Sequence, residues 1–295
     1  MELGKEHSDQ KSILQYCREN NIFQNKFEQV LLNAGLKPKS WNVKRTPSES
    51  TFRSRSLLFF AAGIYVAHKI SPNTPLIVPE NGTISINIPL DSGRRSECST
   101  RTTHPTFIKR IQEALQLVGI NNTFYNPYRL KSKADMVKDC DNDVNKSVIL
   151  RKLYSKSCSC AKRGHNSHWD KPGDVIRNKK ITHCGMCLPC LYRRVSLDII
   201  GLDSAEYVGT DVMHGTKYNL NIHKQKRNYD FNALLYFIKN RLDANLIRRE
   251  LFMNGIRSKQ ELDDYVSLAL HSYQQVKDWI ARKGTPEIKG KAGIV

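Results

Sequence analysis

The stretch His183-Cys184-Gly185-Met186-Cys187-Leu188-Pro189-Cys190 sets three cysteines at two-residue gaps. A Cys-x-x-Cys turn lets two sulfurs face one ion, and Gly185 permits the tight bend this needs. A further thiol lies upstream in Ser157-Cys158-Ser159-Cys160. Thiolates hold Zn²⁺ as a tetrahedron with Zn–S bonds of about 2.3 Å. The spacing therefore predicts a structural four-cysteine site. A disulfide, or a set of buried free thiols, is the competing reading. Three thiols packed this tightly are hard to pair off without strain.

Working outward, the segment between Cys160 and His183 carries Gly164, His165, His168, Trp169, Pro172 and Gly173 and reads as an irregular loop. His165, His168 and His183 are competing ligands. Downstream, Leu191, Val195, Ile199 and Leu202 recur at helical spacing, with Arg193 and Arg194 in the first turns. Four thiolates on Zn²⁺ carry a formal charge of about −2, which nearby arginines would offset.

Upstream lies a stretch of alternating elements. Leu57 to Ala67 is apolar nearly all round and predicts a buried helix, entered by Arg53 and Arg55. The helix dipole does not favour arginines there, so a bound anion or acidic neighbour competes with plain solvation. Leu76-Ile77-Val78 predicts a strand and Pro79-Glu80-Asn81-Gly82 a turn. Ile84, Ile86, Ile88 and Leu90 alternate with polar residues and predict a second strand. Ser99-Thr100-Arg101-Thr102-Thr103-His104-Pro105 leads into a helix to about Val118, with Pro105 in its first turn, Thr103 or His104 as cap and Gly119 closing it. Hydroxyls and Arg101 gathered there make an anion site, although ordinary capping explains part of the pattern. Thr123 to Tyr125 predicts a strand, Ser132 and Asp135 a capping box, and Val144 to Tyr154 an amphipathic helix. This alternation argues for an α/β core.

The ends are plainer. Ser12–Cys17 and Phe27–Leu32 predict short helices. Tyr229–Leu251 and Ser258–Ala281, the latter opened by a Ser258/Glu261 capping box, predict two packed helices. Residues 284–295 read as a loose tail. The chain of 295 residues carries a net charge of +19, with 39% apolar and 25% charged residues. That balance predicts an anionic partner, a nucleotide, nucleic acid or acidic subunit, against a merely solvated basic surface. Basic clusters at 151–156, 179–180, 224–227 and 248–249 are spread rather than dense, which weakens the nucleic-acid reading. No run of about 18 apolar residues suggests a membrane span. With no secretory signal at Met1–His7, the eight cysteines read as metal ligands and reduced thiols of a cytoplasmic protein.

These motifs together resemble one family. Ser157-Cys158-Ser159, the Cys-Gly-Met-Cys-Leu-Pro-Cys run and the Arg after it resemble the zinc segment of 7-cyano-7-deazaguanine synthases, which are PP-loop ATPases of queuosine biosynthesis. Arg53-Ser54-Arg55-Ser56-Leu57, Thr102-Thr103-His104-Pro105-Thr106-Phe107 and Asn126-Pro127-Tyr128 through Lys133-Ala134-Asp135-Met136 fall in the family's order. Pro79-Glu80-Asn81-Gly82, the Thr-His-Pro loop and the cysteine motif look closest to the QueC-like component of the Qat anti-phage system. The resemblance covers roughly residues 50–210.

The resemblance implies an incomplete adenine-nucleotide α-hydrolase-like (PP-loop) α/β fold. Its parallel sheet would carry helices on both faces, a zinc-binding four-cysteine segment and a C-terminal helical extension. Residues 1–50 would be a remnant of the nucleotide-binding domain, 51–156 the α/β core, 157–210 the zinc segment and 211–295 the helical region. The implied reaction adenylates a carboxylate on a 7-deazaguanine with ATP and Mg²⁺. Ammonia then gives an amide and dehydration a nitrile. The implied ligands of a structural Zn²⁺ are Cys158, Cys184, Cys187 and Cys190, with Cys160 as substitute for Cys158. Arg101 and His104 are candidates for a substrate or phosphate pocket, Arg55 for the nucleotide, and Glu80 and Asn81 for a polar base edge. Other Qat-type defence proteins are implied partners. The family's Ser-Gly-Gly-x-Asp-Ser loop is nowhere in the sequence. Its place would be upstream of Met1, so a truncated or split frame is expected, inactive alone unless another chain supplies the loop. A non-catalytic zinc module of a defence complex is the alternative.

Overall fold

The computed structural model describes residues 3–30, 53–91, 102–161, 163, 167, 169–214 and 229–294. The architecture is mostly helical. In chain order the helices of the first half are α1 (Leu3–Glu19), α2 (Arg53–Ile70), α3 (Gly82–Ile86), α4 (Pro105–Leu117), α5 (Lys133–Asn142) and α6 (Val144–Leu153). Those of the second half are α7 (Gly173–Asn178), α8 (Leu188–Asp198), α9 (Tyr229–Asn240), α10 (Ala244–Met253), α11 (Lys259–Lys283) and α12 (Pro286–Lys291). Among the described residues one sheet forms, from β1 (Leu76–Ile77) and β2 (Phe124–Tyr125). The strands run parallel, with Leu76 opposite Phe124 and Ile77 opposite Tyr125. The connection runs through α4, as a parallel pair requires.

Local chemistry places several boundaries where the residues predict them. His104 caps α4 with its ring, Nδ1 accepting from Thr106 N at 3.3 Å, and Pro105 fills the first turn. Ser132 and Asp135 form a complete capping box on α5.

Other expectations are corrected. Ile84–Leu90 does not form a strand. Asn81 accepts from Ile84 N at 3.0 Å and starts α3, and Asn87, at φ 40°, ends it. Ser85 is as buried as Ile86, so the alternation of polar and apolar residues does not mark a wet and a dry face. The helix over Leu57–Ala67 is not buried all round. Phe60, Ile64 and Ala67 are buried, while Leu57, Leu58, Phe59 and Tyr65 are exposed. Residues 26–30 are not helical, and the rest of the helix expected over Phe27–Leu32 lies outside the described residues. The segment Tyr229–Leu251 splits in two because Asp243 turns extended and accepts from Asn245 N and Leu246 N. The C-terminal end is not loose: Thr285 caps α12, and Ile288 and Ala292 are buried.

The core runs from Ile86 to Ala292 and joins α8 through α12 with the 86–90 segment. The long helix α11 is its axis. Its buried Tyr273, Val276, Trp279 and Ile280 meet α8 and α9, and its Ser272 hydroxyl lies 2.7 Å from Thr83 of α3. Gln275 and His271 on the same helix bond Ser132 and Asp135 at the start of α5. Helix α5 also packs along α8, so the α11 scaffold fixes both helices that flank the cysteine segment. No helix among the described residues is long and apolar enough to cross a membrane.

Candidate metal centre

Cys160, Cys184, Cys187 and Cys190 place their sulfurs within 4.8 Å of one another, with the last three buried. Sulfurs at the corners of a tetrahedron with bonds of about 2.3 Å lie about 3.8 Å apart. The Cys184 and Cys190 sulfurs are 3.8 Å apart. The four can hold a metal ion, and the donor set fits a tetrahedral thiolophilic one.

The scaffold explains the geometry. Cys184 and Cys187 lie in the turn before α8, and Cys190 in the first turn of that helix. Gly185 has φ 80°, and an added Cβ would meet Thr210 O at 2.1 Å. The close approach arises because Thr210 N donates to Cys184 O at 2.9 Å and Gly209 N to His183 O at 2.8 Å. Met186 N and Cys187 N both point at Cys184 Sγ at 3.3 Å, and Cys184 N at Cys160 Sγ at 3.3 Å. Such N–H···S bonds favour charged sulfur. Hydrogen bonds from Cys160 push the Cys184 and Cys187 thiols down, while bonds to Cys184 and Cys160 push Cys160 and Cys190 up, respectively. Metal binding requires the thiolate form, so a cation binding here would release the thiol protons.

One ligand assignment changes. Cys158 is not in the group, and Cys160 takes its place. His183 sets the register. Its Nε2 accepts from Ser159 N at 3.1 Å, and that bond, together with Cys184 N on Cys160 Sγ, lays Cys160 over the turn. His183 is not part of the cluster: its Nε2 is taken by Ser159 N and its Nδ1 lies 3.0 Å from Thr182 Oγ1, while burial pushes its pKa down to about 3. His165 and His168 lie outside the described residues.

The two arginines divide their work. Arg193 donates to Ser157 Oγ at 2.8 Å and to Tyr154 O, and lies in the field of the Cys190 and Cys158 sulfurs. Arg194 is buried and pairs with Asp203 at 2.9 Å and Asp211 at 2.8 Å, so its charge is already balanced.

A second polar group borders the centre. Glu80 Oε1 accepts from Asn81 N at 3.2 Å and Asn81 Nδ2 at 3.0 Å, and burial raises its carboxyl. Lys133 donates to Ser159 Oγ at 2.9 Å. Burial lowers its ammonium, helped by Arg193 and opposed by Glu80, Cys190 and Cys158. Lys133 enters the sequence reading only within the Lys133-Ala134-Asp135-Met136 motif and is given no site role there. A lysine at the first position of a capped helix sits against the helix dipole, a mismatch that adds to the motif as a signal for it. Asn81 and His104 serve first as helix caps. His104 follows a loop whose Thr102 and Thr103 meet Ser56 of α2 and Ser85 of α3 at 2.7 and 3.0 Å. Arg101 and the side chain of Arg55 lie outside the described residues.

No family model, no curated protein and no solved structure matches this chain. The site is therefore argued from its own residues.

Proposed function

We propose that the four-cysteine group holds Zn²⁺ as a structural ion. We further propose that the chain is a QueC-like protein that binds a nucleobase-like carboxylate, a 7-deazaguanine, in the cytoplasm. The observation that carries this is the convergence of Cys160, Cys184, Cys187 and Cys190 beside Glu80, Lys133 and Arg193. All four tetrahedral positions are filled by protein sulfur, which leaves none open for substrate and suits a structural ion. Bound there, zinc would cross-link the 157–160 segment to the head of α8. Lys133 and Arg193 supply positive charge for a carboxylate. Glu80, with Asn81, supplies an acceptor edge for a base N–H.

The 295 residues include no Ser-Gly-Gly-x-Asp-Ser cradle, so they do not fit ATP and Mg²⁺ on their own, and no ATP-dependent step is assigned to them. Adenylation needs the loop to be supplied from outside these 295 residues, and a Qat-type defence protein is one such source. The same missing cradle favours the second reading, a non-catalytic zinc module of a defence complex.

The test is metal analysis of the purified chain, followed by calorimetry with 7-carboxy-7-deazaguanine. One zinc per chain and binding that is lost in Lys133→Met supports the proposal. Zinc without binding leaves the module reading. A chain that folds without metal refutes both.

A further inference from the structure

We propose that the cavity on the α8 side of the cysteine centre binds a phosphate monoester carried on a flat ring. The cavity measures about 510 Å³, within the range of small-molecule sites. Its lining combines the cations Lys156, Lys180 and Arg193 with the apolar surface of Ile181, Leu197 and Tyr207.

The charge balance favours an anion. The side chains of Lys156 and Lys180 make no ion pair or hydrogen bond with the described residues, and Arg193 pairs with no described carboxylate. The nearby carboxylates are already taken. Asp203 is held by Arg194, and Glu206 by Lys179. Two lysines and an arginine thus line one space. Such a cluster suits a dianion with three acceptor oxygens better than a monovalent carboxylate.

Lys180 adds an independent observation. It has φ 51° at the end of α7, where Lys180 N bonds Arg177 O and Ile181 N bonds Ile176 O. That closure of a helix normally falls to glycine. A lysine there costs about 1 kcal/mol of backbone strain. Its backbone gains nothing from being lysine, and what the residue brings is a cationic side chain in the cavity lining. The apolar lining supplies the area for a ring, which free phosphate does not use.

The site shares Arg193 with the proposed deazaguanine contacts but not Glu80 or Lys133, and the two lysines that test it, Lys156 and Lys180, lie outside those contacts. The experiment is calorimetry on the full, metal-loaded chain with guanosine monophosphate, guanosine and inorganic phosphate, each at low and high salt. Guanosine monophosphate is expected to bind at least about tenfold more tightly than either of the others, more weakly at high salt. Lys180→Gly is expected to weaken it about tenfold while the melting temperature holds or rises, because glycine relieves the strain. Lys156→Gln should weaken it in the same direction. Equal affinity for guanosine overturns the phosphate end of the proposal. Equal affinity for inorganic phosphate overturns the ring end. Unchanged binding in both lysine variants overturns the site.

Discussion

A Cβ on Gly185 would lie 2.1 Å from the carbonyl oxygen of Thr210. The cysteine turn and the 208–210 segment are thus in backbone contact, with φ 80° at Gly185. Gly185→Ala must both strain that φ and push the two segments apart. We expect it to destabilise the protein by about 2–4 kcal/mol and to weaken metal retention against a chelator. Gly201→Ala is the control, with positive φ but open space around the Cβ. A chelator half-time unchanged in Gly185→Ala, relative to Gly201→Ala, would show that the turn does not depend on this contact.

The exchange of Cys158 for Cys160 is testable by metal content. Cys160→Ser, Cys184→Ser, Cys187→Ser and Cys190→Ser should each lower retained metal. Cys158→Ser should keep it. If Cys158→Ser loses the ion and Cys160→Ser does not, the register set by His183 and Ser159 is wrong.

Arg194 ties three elements together. It pairs with Asp203 and Asp211 and lies 5.2 Å from the Trp279 ring, while Trp279 Nε1 donates to Asp203 at 3.3 Å. Burial tends to raise the Asp211 carboxyl, but Arg194, with Met213 N and His214, brings it below the ordinary carboxylate value. A depressed folded pKa contributes stability that is present above about pH 4 and is lost as pH falls through the folded value. The stability difference between the wild type and Asp211→Asn should therefore be flat at neutral pH and shrink below about pH 4, measured by urea titration. Arg194→Met should cost about 3–5 kcal/mol, since it leaves two largely buried carboxylates without their cation.

How far the sequence speaks for this protein varies with the physics of each segment. The cysteine turn and the caps at His104 and Ser132 are legible because each rests on contacts within a few residues. The Ser-Cys-Ser-Cys ambiguity is not. Cys158 and Cys160 differ only in register, and the register is set by His183, 24 residues from Ser159. Ile84–Leu90 misleads for a related reason. Periodicity reports burial on one face, and α3 is buried on all sides except at Ile84. The α2 helix fails in the other direction, since Leu57, Leu58 and Phe59 are apolar yet exposed. The two strands pair in parallel, as the alternation of elements suggests, but the described sheet stops at two, and the wider parallel sheet remains a proposal.

The C-terminal end offers the sharpest contrast between composition and packing. Gly284-Thr285-Pro286-Glu287 contains two strong helix breakers, yet Thr285 Oγ1 accepts from Ile288 N at 3.4 Å and Pro286 takes the first turn of α12. That arrangement suits proline, whose missing N–H is unneeded there. Ile288, at 3% exposure, then packs into the main core. Ile288→Ala should cost about 2–4 kcal/mol, and Thr285→Ala about 1 kcal/mol. A chain ending at Lys283 should lose at least as much as Ile288→Ala. It should also expose the α9 face that α12 covers, raising hydrogen exchange at Phe237 and Ile238. If the shortened chain melts at the wild-type temperature, α12 is an ornament on the core rather than part of it.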